Sequence, residues 1–296
     1  MSDYQIISDS SCDIPNEILE AYNIKTIPFY VSFDQEKYYK ERVDISTEAF
    51  YSKLETEKIF PKTSLPSVQD YMNVFTHYIK EGKEILCLCL TDKFSGSYQS
   101  AINAKNIIDE EYEGAKITVV NSILATTAQG LLVIEAARMK KAGLTLEETT
   151  IKLEALKNTA RIMFTVGTLE YLQKGGRIGK VSALAGTMLN LKPLIVLKEG
   201  ELFPYGTIRG RKKSLKKIID MTKEYFKEIN EDYNDYNFAL TTGNCFKEAV
   251  EVKTTLQEEL NIKIDNPIFT IGVTIGTNTG PDPIGICFVK KYEKIK

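Results

Sequence analysis

The 296-residue chain has no tryptophan, a single histidine and only five cysteines. Those cysteines (Cys12, Cys87, Cys89, Cys245, Cys287) are odd in number and contain no CxxC pair, so neither a disulfide framework nor a zinc site is expected. Their usage suits a reduced compartment, with Cys87 and Cys89 as small apolar core residues of Ile85–Leu90. No apolar run reaches the length of a bilayer span. The opening Met1-Ser2-Asp3-Tyr4-Gln5-Ile6-Ile7 lacks the basic and apolar regions of a signal peptide, so a cytoplasmic protein is expected. Internal repeats and low-complexity stretches are also missing.

Most catalytic templates fail. The one histidine, His77, sits mid-helix in Val74–Ile79, where a surface or packing role outweighs catalysis. A Ser-His-Asp arrangement is therefore excluded, and Ser95 has no GxSxG frame. The run Lys174-Gly175-Gly176-Arg177-Ile178-Gly179-Lys180-Val181 superficially resembles a phosphate loop, but it lacks the first glycine and has Val181 where a hydroxyl belongs. It reads as a turn before a helix near Val181. No GxGxxG follows a strand, so a dinucleotide site has no support.

Net charge is −2, unevenly spread. Residues 1–160 carry 17 Lys and Arg against 24 Asp and Glu, whereas 161–296 carry 21 against 16, giving −7 and +5. The basic half can steer an anionic ligand or an acidic partner. Its densest segment, Arg209-Gly210-Arg211-Lys212-Lys213-Ser214-Leu215-Lys216-Lys217, places cations at a helix start that the helix dipole disfavours. An anion or an acidic protein surface against it would remove that penalty. Nucleic acid is not expected, because interleaved aromatics and reader motifs are absent.

What is present is alternation. Strand patterns at Tyr4–Ser8, Glu84–Leu90 and Lys116–Asn121 alternate with helical patterns over 46–57, 67–81, 97–111 and 124–141, and a capping box at Thr145-x-x-Glu148 opens another helix. Asp13 is a candidate cap near Pro15, and Ile24–Phe33 is β-rich but interrupted by Pro28. This predicts an α/β domain over 1–160, a parallel sheet between helices. Beyond Arg161 short β-rich pieces (162–166, 194–197, 202–207, 238–242) and two helices (213–230, 245–260) predict a second α/β domain, 161–296, with a mixed sheet. Ile268–Ile275 and Ile284–Lys290 read as strands of a hairpin joined by the turn-rich Gly276–Pro283.

Two hydroxyl-rich runs stand out. Thr63-Ser64-Leu65-Pro66-Ser67 and Ser95-Gly96-Ser97 each follow an extended segment and open into a helical pattern. Hydroxyls and free N–H groups there suit a carboxylate or phosphate, and strand carboxyl ends are where open parallel sheets bind ligands. For Thr63–Ser67 a plain helix cap explains the residues equally well. Gly96 allows close backbone approach. Asn278, in a glycine-bounded polar stretch, is either a turn residue or a ligand contact.

Together with Ser8-Asp9-Ser10, these runs in their order resemble the DegV family of bacterial fatty-acid-binding proteins. The likeness continues through Lys174–Ile178, Leu189-Asn190-Leu191-Lys192-Pro193, Arg209 with its basic followers and Ile275–Pro281. The resemblance implies a two-domain DegV-like fold, related to dihydroxyacetone kinases: a three-layer parallel-sheet domain plus a mixed-sheet domain. It implies a buried long-chain fatty acid such as palmitate, its carboxylate bound by Thr63 and Ser95. Ser64, Gly96, Ser97, Arg209 and Asn278 form the supporting polar network. It further implies a carrier with no catalytic residue, metal or cofactor, which presents the acid to a separate ATP-dependent fatty acid kinase subunit and has room for transient membrane-surface contact. Family members often have His where this chain has Asn278, which cannot titrate near neutral pH. Leu65 and Ser97 replace a common Gln and Thr. The alternatives are a phosphotransferase-related enzyme of the dihydroxyacetone-kinase fold, which would need a covalent histidine and a nucleotide module, and a basic-surface regulatory module acting through 209–217.

Overall fold

A computed structural model describes residues 3–185 and 191–295; Leu189 and Asn190 of the resemblance lie outside the described residues. Two sheets share one layer of helix. The first has four parallel strands in the spatial order Ile24–Ile27, Tyr4–Asp9, Glu84–Cys89, Ile117–Asn121. The second has six, ordered Glu201–Arg209, Leu191–Lys198, Arg161–Thr165, Ile284–Lys290, Tyr236–Thr242, Ile268–Thr270, and only its last pair is parallel. The parallel sheet and the mixed sheet are those expected; the last strand of the first ends at Asn121 and the first strand of the second opens at Arg161.

Side-chain alternation sorts each sheet's two faces. In the parallel sheet Ile7, Ile85, Cys87 and Cys89 pack on helices Val68–Lys80 and Ser97–Glu111, whereas Ile6, Leu86 and Leu88 face helix Thr126–Lys141. In the mixed sheet Ile284, Ile286 and Phe288 face helices Arg211–Ile229 and Phe246–Leu260. Cys287 and Val289 turn to the opposite side and join the core around Thr126–Lys141. That helix is buried nearly all round, its apolar residues feeding both sheets, and one continuous core therefore runs through both.

Three local expectations give way to tertiary contacts. Ile24–Phe33 splits at Pro28, which has no N–H for a ladder; Ile24–Ile27 stays in the parallel sheet, and Tyr30–Ser32 joins a small sheet with Tyr39–Lys40 and Lys62–Ser64. Asp13 does not cap the helix beside it: Asn16–Ala21 starts after Pro15 without a side-chain cap. The C-terminal hairpin does not form either. Ile268–Thr270 is an edge strand, Val273–Thr279 is helical, and Tyr236–Thr242 lies between the two presumed partners.

Buried carboxyl groups explain the last two differences. Asp13 accepts the Gly272 N–H (2.9 Å) and the Thr126 hydroxyl (2.6 Å). Glu41 accepts the Thr274 N–H (3.1 Å) and the hydroxyls of Thr274 (2.6 Å) and Ser10 (2.5 Å). These acids take up N–H groups at the start of Val273–Thr279 and so favour a helix over a β-rich sequence. Both crowd Gly272, where a Cβ would sit 2.4 Å from Glu41 and 2.6 Å from Asp13. Asp9, at the end of the first strand, accepts from Leu90 N–H, Gln129 and Ser97 (2.9 Å each), and Tyr71 Oη lies 2.7 Å from Ser97 Oγ. Burial is the main force raising all three carboxyls above their ordinary range, and the charge of Glu41 lifts Asp13 further.

Two outcomes follow from these networks. Ser97→Ala removes a donor from Asp9 and a partner from Tyr71, so unfolding in urea should show a loss of about 1–3 kcal/mol with an unchanged slope. An acid whose pKa is raised by folding stabilises the fold below its unfolded pKa, near 4, and that stability is lost as pH rises through the folded pKa. Glu41→Gln has no such group to ionise. Its melting temperature should fall less than that of the unaltered protein as pH is raised from about 4; superimposable pH profiles would refute the assignment.

Candidate functional site

A cavity with an empty volume of about 1060 Å³, counted to its mouth, opens where the two sheets meet. Leu90, Ala125 and Thr126, at the carboxyl edge of the parallel sheet, form one wall. One face of the mixed sheet forms the floor, and Ile271, Thr274 and Ile275 close a third side. Phe29, Phe94 and Leu172 complete an interior that is mainly hydrocarbon.

Polar groups gather from three segments. Thr63 and Ser64 come from the strand Lys62–Ser64, held by pairing of Thr63 with Val31 and Ser64 with Tyr30. Ser95 comes from the turn before helix Ser97–Glu111; its Oγ accepts the Ser97 N–H at 3.2 Å, which leaves its own hydrogen free to donate. Asn278 and Thr279 come from Val273–Thr279, with Asn278 Nδ2 donating to Thr274 O at 3.2 Å. Thr63 is half-buried and its hydroxyl has no partner among the described residues.

Arg177 is the only charged residue among the described residues that line the cavity. Its Nε donates to Phe94 O (3.0 Å) and its Nη1 to Gly175 O (2.7 Å), leaving Nη2 without a partner among the described residues. Lys62 Nζ ties the same segment to the strand that carries Thr63, donating to Lys174 O at 2.8 Å, and Phe60 packs on Tyr171 with ring centroids 5.0 Å apart. Residues 170–177 are thereby fastened over the hydroxyl loops.

Two wall residues are tied to the buried acids. Thr126 and Thr274 line the cavity while their hydroxyls donate to Asp13 and Glu41, so neither hydroxyl hydrogen is offered to a ligand. Thr126 holds φ at 47°, a costly conformation for a β-branched residue of about 1–3 kcal/mol. Its bond to Asp13 is the contact that keeps it there.

Of the residues predicted from sequence, the fold brings Thr63, Ser64, Ser95 and Asn278 to one cavity. It leaves three outside the lining. Ser97 is fully buried behind Ser95, bonded to Asp9 and Tyr71. Gly96 caps the helix against Leu65, where a Cβ would lie 3.4 Å from Cδ2. Arg209 is exposed at the end of its strand. His77 is exposed and lies 3.2 Å from Glu81, away from the cavity lining.

Sequence reasoning missed Arg177, which it absorbed into a glycine turn, and the wall residues Thr126 and Thr274. A cation directly after Gly175-Gly176, in a run that failed as a phosphate loop, was the available signal. Asp9 stood out only within Ser8-Asp9-Ser10 and Asp13 only as a candidate cap, and Glu41 gave no signal. Among the described residues no cluster of His, Cys, Asp and Glu could hold a metal, and no helix is long and apolar enough to cross a membrane.

Known proteins of the same architecture are close. A stearic acid-binding protein from Eubacterium ventriosum superposes with a TM-score of 0.94 at 40% identity, covering 99% of this chain and 100% of the other. A fatty-acid-binding DegV family protein from Thermus thermophilus gives 0.85 at 28% identity, with 97% and 99% covered. A DegV domain-containing protein of Clostridium acetobutylicum is 32% identical over 284 residues, 96% of each chain. The model of a family described as uncharacterised proteins, DegV family, matches residues 3–291. With that match running almost end to end, the chain belongs to the DegV family.

Proposed function

We propose that the protein binds one long-chain fatty acid, its hydrocarbon in the cavity and its carboxylate among Thr63, Ser95 and Arg177. The observation that carries this reading is the composition of the lining: an apolar interior with one cation and a few hydroxyls. Such a lining matches a monoanionic amphiphile and nothing bulkier in charge. The stearic acid bound by the Eubacterium ventriosum protein, so similar in fold, supports the same ligand class.

The energetics assign separate tasks to tail and head. Removing about fourteen methylenes from water contributes about 11–12 kcal/mol before association costs. The tail supplies affinity. Hydroxyl donors from Thr63 and Ser95 orient the head, and the free Nη2 of Arg177 makes the contact charge-assisted. Asn278 beside them offers a donor and an acceptor without a titrating group.

On this reading the protein is a carrier that hands its acid to a separate ATP-dependent kinase, with residues 1–160 and 161–296 as its two domains. Arg211 pairs with Glu248, Lys216 with Asp220 and Glu259, and Lys217 with Glu224. Arg209, Lys212 and Lys213 have no ion-pair partner among the described residues and supply the positive surface for such a partner.

Denaturing mass spectrometry of freshly purified protein should release a long-chain acid; its absence, with no uptake of added acid, would end the proposal. Thr63→Val with Ser95→Ala should weaken binding by about 1–3 kcal/mol, roughly 5- to 150-fold, in calorimetry. Arg177→Ala should cost about 1 kcal/mol, less at high salt because the residue is exposed, whereas Arg209→Ala should leave affinity unchanged. Equal losses at both arginines would remove Arg177 from the head-group site.

A further inference from the structure

The cavity floor crosses five of the six strands of the mixed sheet. In register, Leu202 lies opposite Leu197 and Leu197 opposite Ile162; two residues along, Phe164 lies opposite Gly285 and Gly285 opposite Thr241. All six line the cavity. Four gaps between neighbouring strands amount to about 19 Å. An extended alkyl chain advances about 1.25 Å per bond of about 1.5 Å, so eighteen carbons reach about 21 Å. Floor and long-chain acid are matched in length.

Gly285 is the one position of this floor without a side chain. It is in extended backbone, so its value lies in the space it leaves. A Cβ there would meet Thr241 Cγ2 at 3.0 Å, Ile162 Cγ2 at 3.1 Å and Phe164 Cβ at 3.2 Å. Its neighbours have closed over the bare backbone as far as they can. A single methyl would push Ile162 and Thr241 into the cavity, because a packed core offers no slack elsewhere. On the opposite face Ile284 and Ile286 are fully buried, which prevents the strand from yielding backwards.

We propose that Gly285 is a specificity-determining position, its missing side chain setting the clearance through which the tail of a long acyl chain passes. The inference rests on the fatty-acid reading above. A short acid anchored by the same head group stops before the narrowed stretch, so a methyl at 285 discriminates by length. Blocking one methylene's width in an apolar site is worth roughly 10-fold or more in selectivity.

The test compares affinities for stearate and decanoate in the unaltered protein, Gly285→Ala and Ile162→Ala/Gly285→Ala, each shown folded by circular dichroism. The stearate-to-decanoate preference should drop about tenfold in Gly285→Ala. It should return in the double variant, where Ile162 Cγ2 no longer occupies the new methyl's place. An unchanged ratio, or equal losses for both acids, overturns the inference while leaving the fatty-acid reading intact. Unaltered protein that binds neither acid overturns both. Should Gly285→Ala fail to fold, Ile162→Ala alone decides. Widening the floor there should raise the affinity for arachidate relative to stearate, and a constant ratio would be the refutation.

Discussion

Four carboxyl groups are buried in this protein, and three of them, Asp9, Asp13 and Glu41, have no ion-pair partner among the described residues. Asp9, Asp13 and Glu41 are satisfied instead by hydroxyls, backbone N–H groups and one amide. Burying such groups costs several kcal/mol each unless every lone pair is met. Their donors come from both halves of the chain: Ser10, Leu90 and Ser97 from the first, Gly272 and Thr274 from the last thirty residues. The acids therefore act as clamps. They fix the turn that carries Ser95, the threonines of the cavity wall and the start of the helix that carries Asn278.

The same constraint explains what the sequence could reveal. Period-two and helical patterns are local properties, and the elements they predict match within about two residues for Glu84–Cys89, Ser97–Glu111 and the capped helix from Leu146. The cap at Ser67 and the capping box at Thr145 were legible because a cap and its partner lie three residues apart. Val273–Thr279 was not. Its β-rich composition predicted a strand, and the groups that turn it into a helix are Asp13 and Glu41, more than two hundred residues away. Propensity is a weak prior beside buried carboxyl oxygens that accept the N–H groups at a helix start.

The candidate site divides along the same line. Thr63, Ser64, Ser95 and Asn278 were visible because short polar side chains at strand and helix ends have few other uses. Arg177 was hidden by its setting, since glycines on either side gave the run an ordinary turn reading. Arg209 looked equally suitable in the sequence, yet the fold holds it on the surface at the end of its strand. What separates two arginines is the direction of the chain at that point, which no residue pattern encodes.

Helix Thr126–Lys141 has a further consequence for traffic. Apolar side chains on its opposite sides serve two different sheets, and Glu135, fully buried within it, joins Arg138 to Asn237 and to the Tyr292 N–H. Prising the two sheets apart would wet the hydrocarbon around that helix, at about 25 cal/mol for each Å² laid bare. Residues 170–177 are held against the hydroxyl loops by much less, two side-chain bonds to carbonyls and one ring contact, so that edge of the cavity loosens more easily than the seam between the sheets.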